Sequence, residues 1–271
     1  MTSEDRDQTA AVVTNDDAGS RSSRSRGRHG SDRKAGKKKH LPLWQETILL
    51  LGIALVLAVA IKALLVQAFY IPSESMEPGL VEDDRILVQK VSYWFDGTPQ
   101  RGDVVVFKDP GGWLTPSESS GPTNPVASLM AKVGLYPQGG HLVKRVVGVA
   151  GDTITCCDKK GRLAVNGVPL QEEGYVKQER GVECRGPMRG DCNWEAGPIP
   201  DGHVFVMGDN RAHSADSTVH MCLDQETDCV PGDEFVPVDL VVGKVFVLLW
   251  PYDHFRWVER PDTFGDVAAT D

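Results

Sequence analysis

His141-Leu142-Val143-Lys144-Arg145-Val146-Val147-Gly148-Val149 is a nine-residue run dominated by β-branched and apolar side chains. Such a run reads as a strand. Lys144 stands out, because its neighbours drive its side chain inward. On pattern alone an exposed strand lysine is the commoner outcome. A buried lysine has a purpose if it must be neutral: bringing its pKa from about 10.4 to about 7 costs about 4.6 kcal/mol, a size that desolvation supplies.

Further strand runs surround this one. Ile86 to Val91, Val104 to Phe107 and Val204 to Met207 are β-rich and bounded by turn residues. Asn166-Gly167 between two short apolar runs is a hairpin signal. Leu240 to Trp250 contains Gly243 and Lys244 and is too short to span a bilayer, so it reads as a buried strand. Asp109 to Gly140 is rich in Gly, Pro and Ser and reads as a surface excursion with a short helix near Ala127–Val133. Gln171 to Pro200 reads as irregular. Many short strands predict a mainly β domain, barrel or sandwich-like, over residues 70–271. There are no internal repeats.

The N-terminal part differs. The chain has 271 residues and a net charge of −9, but residues 1–40 hold ten Lys/Arg against six Asp/Glu, so the rest carries −13. Residues 1–40 have almost no large apolar side chains, and residues 1–43 are predicted to form a disordered basic arm. Residues 44–69 follow, with the apolar run Ile48 to Phe69 of 22 residues, about 33 Å as a helix and enough to cross a bilayer. Lys62 is its one charge, and Trp44 and Tyr70 flank it as interfacial anchors. A long apolar run after a long arm favours a retained signal-anchor over a cleaved signal peptide. The basic arm places the N-terminus in the cytoplasm and the rest outside. An arm that abuts an apolar run points to lipid, and the acidic remainder argues against nucleic acid.

Tyr70-Ile71-Pro72-Ser73-Glu74-Ser75-Met76-Glu77-Pro78-Gly79-Leu80 follows the apolar run directly. Its prolines oppose helix, so it is expected to be extended or turning. Ser73 and Ser75 fall on one side of an extended segment. By itself this is also the pattern of a plain loop. A nucleophilic Ser75 needs a base. His141, His203 and His213 are available, but none sits in a marked context, and there is no Gly-x-Ser-x-Gly elbow. Neither a metal site nor a cofactor is indicated: Cys-x-x-Cys and His-Glu-x-x-His are absent.

Taken together, four segments resemble the type I signal peptidases of bacteria, a membrane serine/lysine-dyad family. They are Ile71 to Pro78, Arg101 to Phe107, Lys144 to Asp152, and Gly208-Asp209-Asn210-Arg211-Ala212-His213-Ser214-Ala215-Asp216-Ser217. They occur in the family's order, after a signal-anchor. The resemblance implies that Ser75 attacks the scissile carbonyl of a translocated preprotein, with Lys144 as general base. It implies an oxyanion hole from the Ser75 N–H and the Ser73 hydroxyl, and Ser214 as the residue that orients Lys144. Asp209, Arg211 and Asp216 would support that shell. Ile71, Met76 and Val143 would line pockets for small side chains, the Ala-x-Ala pattern. Two positions depart from the family. Thr218 stands where Arg is frequent, which puts a peripheral salt bridge in doubt. Glu74 stands where Gly is common and must point away from the oxyanion. A soluble self-cleaving repressor of related chemistry is disfavoured by the apolar run. A catalytically inactive, membrane-anchored extracellular binding module is the remaining alternative.

All six cysteines fall in the part expected outside, which permits disulfides. Proximity favours Cys184–Cys192 and Cys222–Cys229. A bridge between Cys156 and Cys157 is not expected, because a trans peptide sets neighbouring Cα atoms about 3.8 Å apart, below the usual disulfide range.

Overall fold

The protein is described by a computed structural model. It covers residues 42–94, 97–122, 124–132, 139–177, 184, 192–222 and 229–268, without the side chains of residues 62, 63, 117, 118 and 132. The basic arm therefore lies outside the described residues except at its end, as does the Lys62 side chain. The chain divides into two compact units, Met1–Thr47 and Ile48–Asp271. In the first, only the opening of a helix is described, where the Thr47 hydroxyl donates to the Leu43 carbonyl at 2.9 Å.

That helix, α1 (Leu43–Leu65), is 23 residues long, about 35 Å. Leu51, Leu55, Val56 and Val59 are all exposed. A helix apolar all round belongs in a core or in a membrane, and these exposed side chains have no core around them. The expected helix ran to Phe69, and this is corrected. Val66–Tyr70 forms strand β1, paired residue by residue with β2 (Arg85–Gln89) from Val66↔Gln89 to Tyr70↔Arg85. The sheet supplies main-chain partners, and Phe69 is buried against the sheet's core, so the chain leaves the helix four residues early.

The remaining strands are β3 (Val104–Lys108), β4 (His141–Val149), β5 (Ile154–Cys156), β6 (Ala164–Val165), β7 (Val168–Pro169), β8 (Trp194–Ala196), β9 (His203–Met207), β10 (Val236–Pro237), β11 (Val241–Trp250) and β12 (Arg256–Trp257). The mainly β class is as the sequence predicted. The large sheet is a half-barrel with the order β1-β2-β11-β3-β4-β9-β10, and β12 pairs with β11. A smaller sheet runs β7-β6-β5-β8. Asn166 and Gly167, with φ of 51° and 77°, close the β6–β7 hairpin as the Asn-Gly signal required. Strand β8 corrects the reading of Gln171 to Pro200 as wholly irregular; its three residues pair with β5. The excursion after β3 carries two short helices, α2 (Pro116–Ser119) and α3 (Pro125–Lys132).

The valine-rich strands have apolar partners on both faces. Val104 and Val106 join Phe69, Ile71, Met76, Ile86 and Val245 on one side of β3. Val105 and Phe107 join Leu142, Val146 and Val206 on the other. Phe205 and Met207 turn away to pack against Ile154, Leu163 and Trp194 of the small sheet. Each fully buried large side chain here contributes about 1.5–3 kcal/mol.

All six cysteines are bonded, as Cys156–Cys157, Cys184–Cys192 and Cys222–Cys229. The last two pairs match the expectation from proximity. The first corrects it. The Cys156–Cys157 peptide is cis, so the Cα atoms lie 3.0 Å apart and the spacing of a trans peptide does not apply.

Candidate active site

Ser75 sits in a single 3-10 turn, Glu74–Met76, whose preceding residue Ser73 is extended. The two serine hydroxyls are 3.2 Å apart. Their proximity was expected from an extended segment; it arises instead from the turn that follows Ser73. The turn is tied down on both sides. Ile71 donates its N–H to the Asp84 carbonyl at 2.9 Å, and Asp83 donates to Ile71 at 3.0 Å. Asp84 itself is buried, accepts from the Val81 N–H and lies 2.9 Å from His254 Nδ1.

That last contact gives a pH prediction. The hydrogen bond with Asp84 raises the His254 pKa above its ordinary 6.5. A raised folded value stabilises fully below the unfolded pKa, and the gain is lost as pH rises through the folded one. The melting temperature of His254→Ala should therefore fall below the wild type's at pH 6 and approach it in mild alkali. An equal deficit at both pH values would contradict the assignment.

Lys144 comes from β4, in register with Val105 of β3 and between Leu142 and Val146 on the same face. It is 5 % exposed, and its Nζ donates to Ser75 Oγ at 2.8 Å. The two residues are 69 apart in sequence. Sheet register therefore brings together the lysine singled out by its apolar surroundings and the serine singled out by its prolines. Neither His141, His203 nor His213 holds this position.

The segment after β9 supplies the next layer. The Ser214 hydroxyl donates to Asp216 Oδ2 at 2.6 Å. This spends its one proton, so toward any further group the Ser214 oxygen acts as an acceptor. Buried Asp216 also accepts from the Gly208 N–H, the Thr218 N–H and the Thr218 hydroxyl. Thr218, a position that departs from the resembled pattern, thus gives the carboxylate two of its partners. Asp209 and Arg211 do not join Asp216. Asp209 forms a two-bonded pair with Arg145, at 2.8 and 2.6 Å, and Arg211 pairs with Glu172 at 2.5 Å. Burial pulls both arginine pKa values down, but the facing carboxylates outweigh it and raise them. Arg145 also lies over the Tyr175 ring, 4.8 Å from its centre. Sequence reasoning missed Arg145 and Glu172 as partners. Arg145 had a signal, a second cation in an apolar strand; Glu172 had none.

Gly208 closes the layer onto the serine. A Cβ there would lie 2.2 Å from Ser214 Oγ and 2.4 Å from the Ser75 carbonyl oxygen. The second contact is with backbone and cannot rotate aside. Gly208→Ala should therefore move the Ser75 turn and reduce turnover by about 10–10²-fold, the upper end being the scale of a 1 Å misplacement. Near-normal turnover in a steady-state assay would refute this.

A cleft of about 740 Å³ opens over the pair, lined by Ile71, Ser73, Ser75, Met76, Val143 and Lys144. Trp113, Leu114 and Thr115 from the excursion form part of its wall. Trp113 is fixed by stacking on His220, with ring centres 4.3 Å apart. The Glu74 carboxylate lies 2.8 Å from His213 Nδ1, and both side chains are about half exposed.

A buried serine and lysine lie in hydrogen-bond contact on a β scaffold beneath the cleft, an arrangement in which the lysine nitrogen is placed to take the serine's proton. Residues 44–250 match the family described as signal peptidase, peptidase S26. The chain is 39% identical over 241 residues to a probable signal peptidase I of Mycobacterium leprae, covering 81% of this chain and 80% of that one. It is 40% identical over 226 residues to signal peptidase I of Mycobacterium tuberculosis, with coverage of 79% and 74%. A solved signal peptidase I from Enterococcus faecalis V583 aligns over 54% of this chain and 95% of its own, at 21% identity and a TM-score of 0.29; the sequence matches alone carry the assignment. The chain belongs to the signal peptidase, peptidase S26, family. With the apolar N-terminal helix, it is a membrane-anchored peptidase.

Proposed function

We propose that this protein is a serine endopeptidase that removes N-terminal signal peptides from translocated preproteins, cutting after small-x-small sites. The observation that carries the mechanism is the 2.8 Å contact between Lys144 Nζ and Ser75 Oγ in a buried site. With Lys144 neutral, the same contact carries the Ser75 proton to nitrogen as Oγ adds to the scissile carbonyl. The Ser75 N–H and the Ser73 hydroxyl stabilise the oxyanion. Protonated Lys144 then gives its proton to the leaving amine, and water, activated by the same base, releases the acyl group. An accepting Ser214 oxygen suits the base-orienting role, since a lysine N–H directed to it would leave the nitrogen lone pair for Ser75. The Asp209, Arg211 and Asp216 networks hold this layer, and Ile71, Met76 and Val143 shape a site for small side chains.

The proposed topology is a single pass, with the basic arm of residues 1–43 cytoplasmic, the helix that ends at Leu65 crossing the bilayer, and the strands from Val66 onward outside. Three disulfides support an oxidising location for the last part. The partners are secretory preproteins and membrane lipid, without nucleic acid. The test is to incubate the detergent-solubilised full chain with a preprotein carrying an Ala-x-Ala site and sequence the product's N-terminus. Release of the mature protein by the wild type supports the reading. An intact preprotein rejects it.

A further inference from the structure

We propose that Asn210 is a positioning residue for the oxyanion hole, acting by fixing the peptide planes on either side of Ser75. The inference rests on the proposed function and deepens it. Asn210 is fully buried. Its side-chain Nδ2 donates to the Glu74 carbonyl at 3.1 Å. Its main-chain N–H donates to the Ser75 carbonyl at 3.0 Å. One residue thus grips the peptide before Ser75 and the peptide after it.

The first grip matters for chemistry. A trans peptide is rigid and planar, with its C=O and N–H pointing in opposite directions. The Glu74 carbonyl and the Ser75 N–H belong to the same plane. Holding that carbonyl toward Asn210 aims the Ser75 N–H the opposite way. That N–H lies at the start of the 3-10 turn, where main-chain donors have no partner within the turn. It is therefore a donor available to a developing oxyanion, with its direction set from behind.

The amide's own orientation is determined. A carbonyl only accepts, so exchanging Nδ2 and Oδ1 would set two oxygens against each other. Asn210 Oδ1 meets no partner among the described residues, so the Glu74 contact alone decides which way the amide faces. Asn210 is itself braced. Its neighbours Asp209 and Arg211 are each locked in a buried ion pair, to Arg145 and to Glu172, and its carbonyl accepts from the His213 N–H at 3.0 Å. The two ion pairs therefore act on the serine through the residue between them.

The experiment compares wild type, Asn210→Ala and Asn210→Asp in the solubilised full chain. Asp keeps the size of Asn but faces the Glu74 carbonyl with an acceptor, so it carries the test if Ala fails to fold. Losing an oxyanion donor outright costs about 10²–10³ in kcat; a residue that aims one should cost about 10–10². KM should stay within about threefold, and Asp should be at least as impaired as Ala. The second readout is inhibitor binding. A peptide aldehyde takes the Ser75 Oγ at its carbonyl carbon, the Oγ proton passes to Lys144, and the carbonyl electrons move onto oxygen as an oxyanion. The matching peptide alcohol forms no such adduct. Aldehyde affinity should fall in step with kcat/KM while alcohol affinity holds. Folded variants with near-wild-type kcat, or equal weakening of aldehyde and alcohol, overturn the inference. A wild type that leaves the test peptide uncut overturns the proposed function and this inference with it, a result distinct from either.

Discussion

Ser75→Ala and Lys144→Met should each lower preprotein cleavage by about 10⁴-fold or more while leaving the fold intact, because the pair acts as a unit. The structure explains why the fold should survive. Ser75 is a small side chain in a turn held by main-chain bonds. Lys144 lies between Leu142 and Val146 and opposite Val105, where methionine packs well. Lys144→Arg should fail as completely, since a guanidinium does not release its proton at working pH and cannot serve as base. The assay is single-turnover cleavage by purified full-length variants, with melting curves as the check on folding. Substantial cleavage by any folded one of the three would remove the dyad mechanism.

The second large effect concerns stability. Asp209→Ala should destabilise the protein by about 3–5 kcal/mol, because it leaves a buried guanidinium without its partner. Arg145 and Asp209 are both nearly inaccessible, with side chains 7 % and 2 % exposed, so solvent screening offers little relief. Among the described residues Arg145 would keep the Gly102 carbonyl, at 2.8 Å, and the Tyr175 ring. Arg145→Met combined with Asp209→Leu should be more stable than Asp209→Ala, since an apolar pair carries no desolvation penalty. Denaturant unfolding of the single and double variants measures both. A double variant no better than the single one would show that the pair's hydrogen-bond geometry matters more than its charge.

Several parts of this outcome were written locally. Strand β4 was legible to the residue from its β-branched run, the β6–β7 hairpin from Asn166-Gly167, and α1, except for its end, from its long apolar run. Lys144 was legible as an anomaly within an apolar strand, and Ser75 from the prolines around it. These are short-range signals, set by side-chain shape and by the backbone preferences of Pro, Gly and Asn. Other features could not be read that way. Val66–Tyr70 has an apolar composition that suits a helix or a strand, and its pairing with β2 decided between them. The bond between Cys156 and Cys157 depended on the geometry of one peptide.

The amino-acid sequence by itself determined that there would be a membrane-length helix, a β scaffold and two candidate reacting groups. Only the tertiary structure decided who partners whom. Arg145 meets Asp209 across 64 residues of sequence, Arg211 meets Glu172 across 39, and Lys144 meets Ser75 across 69. Pairings of that range follow from strand register and from the exclusion of water. A charge's partner is decided by what lies within a few ångströms once the sheet has closed, and no local pattern records it. Asn210 shows the same limit: its place in the sequence marked a motif, but its hold on the planes around Ser75 exists only where two distant turns touch.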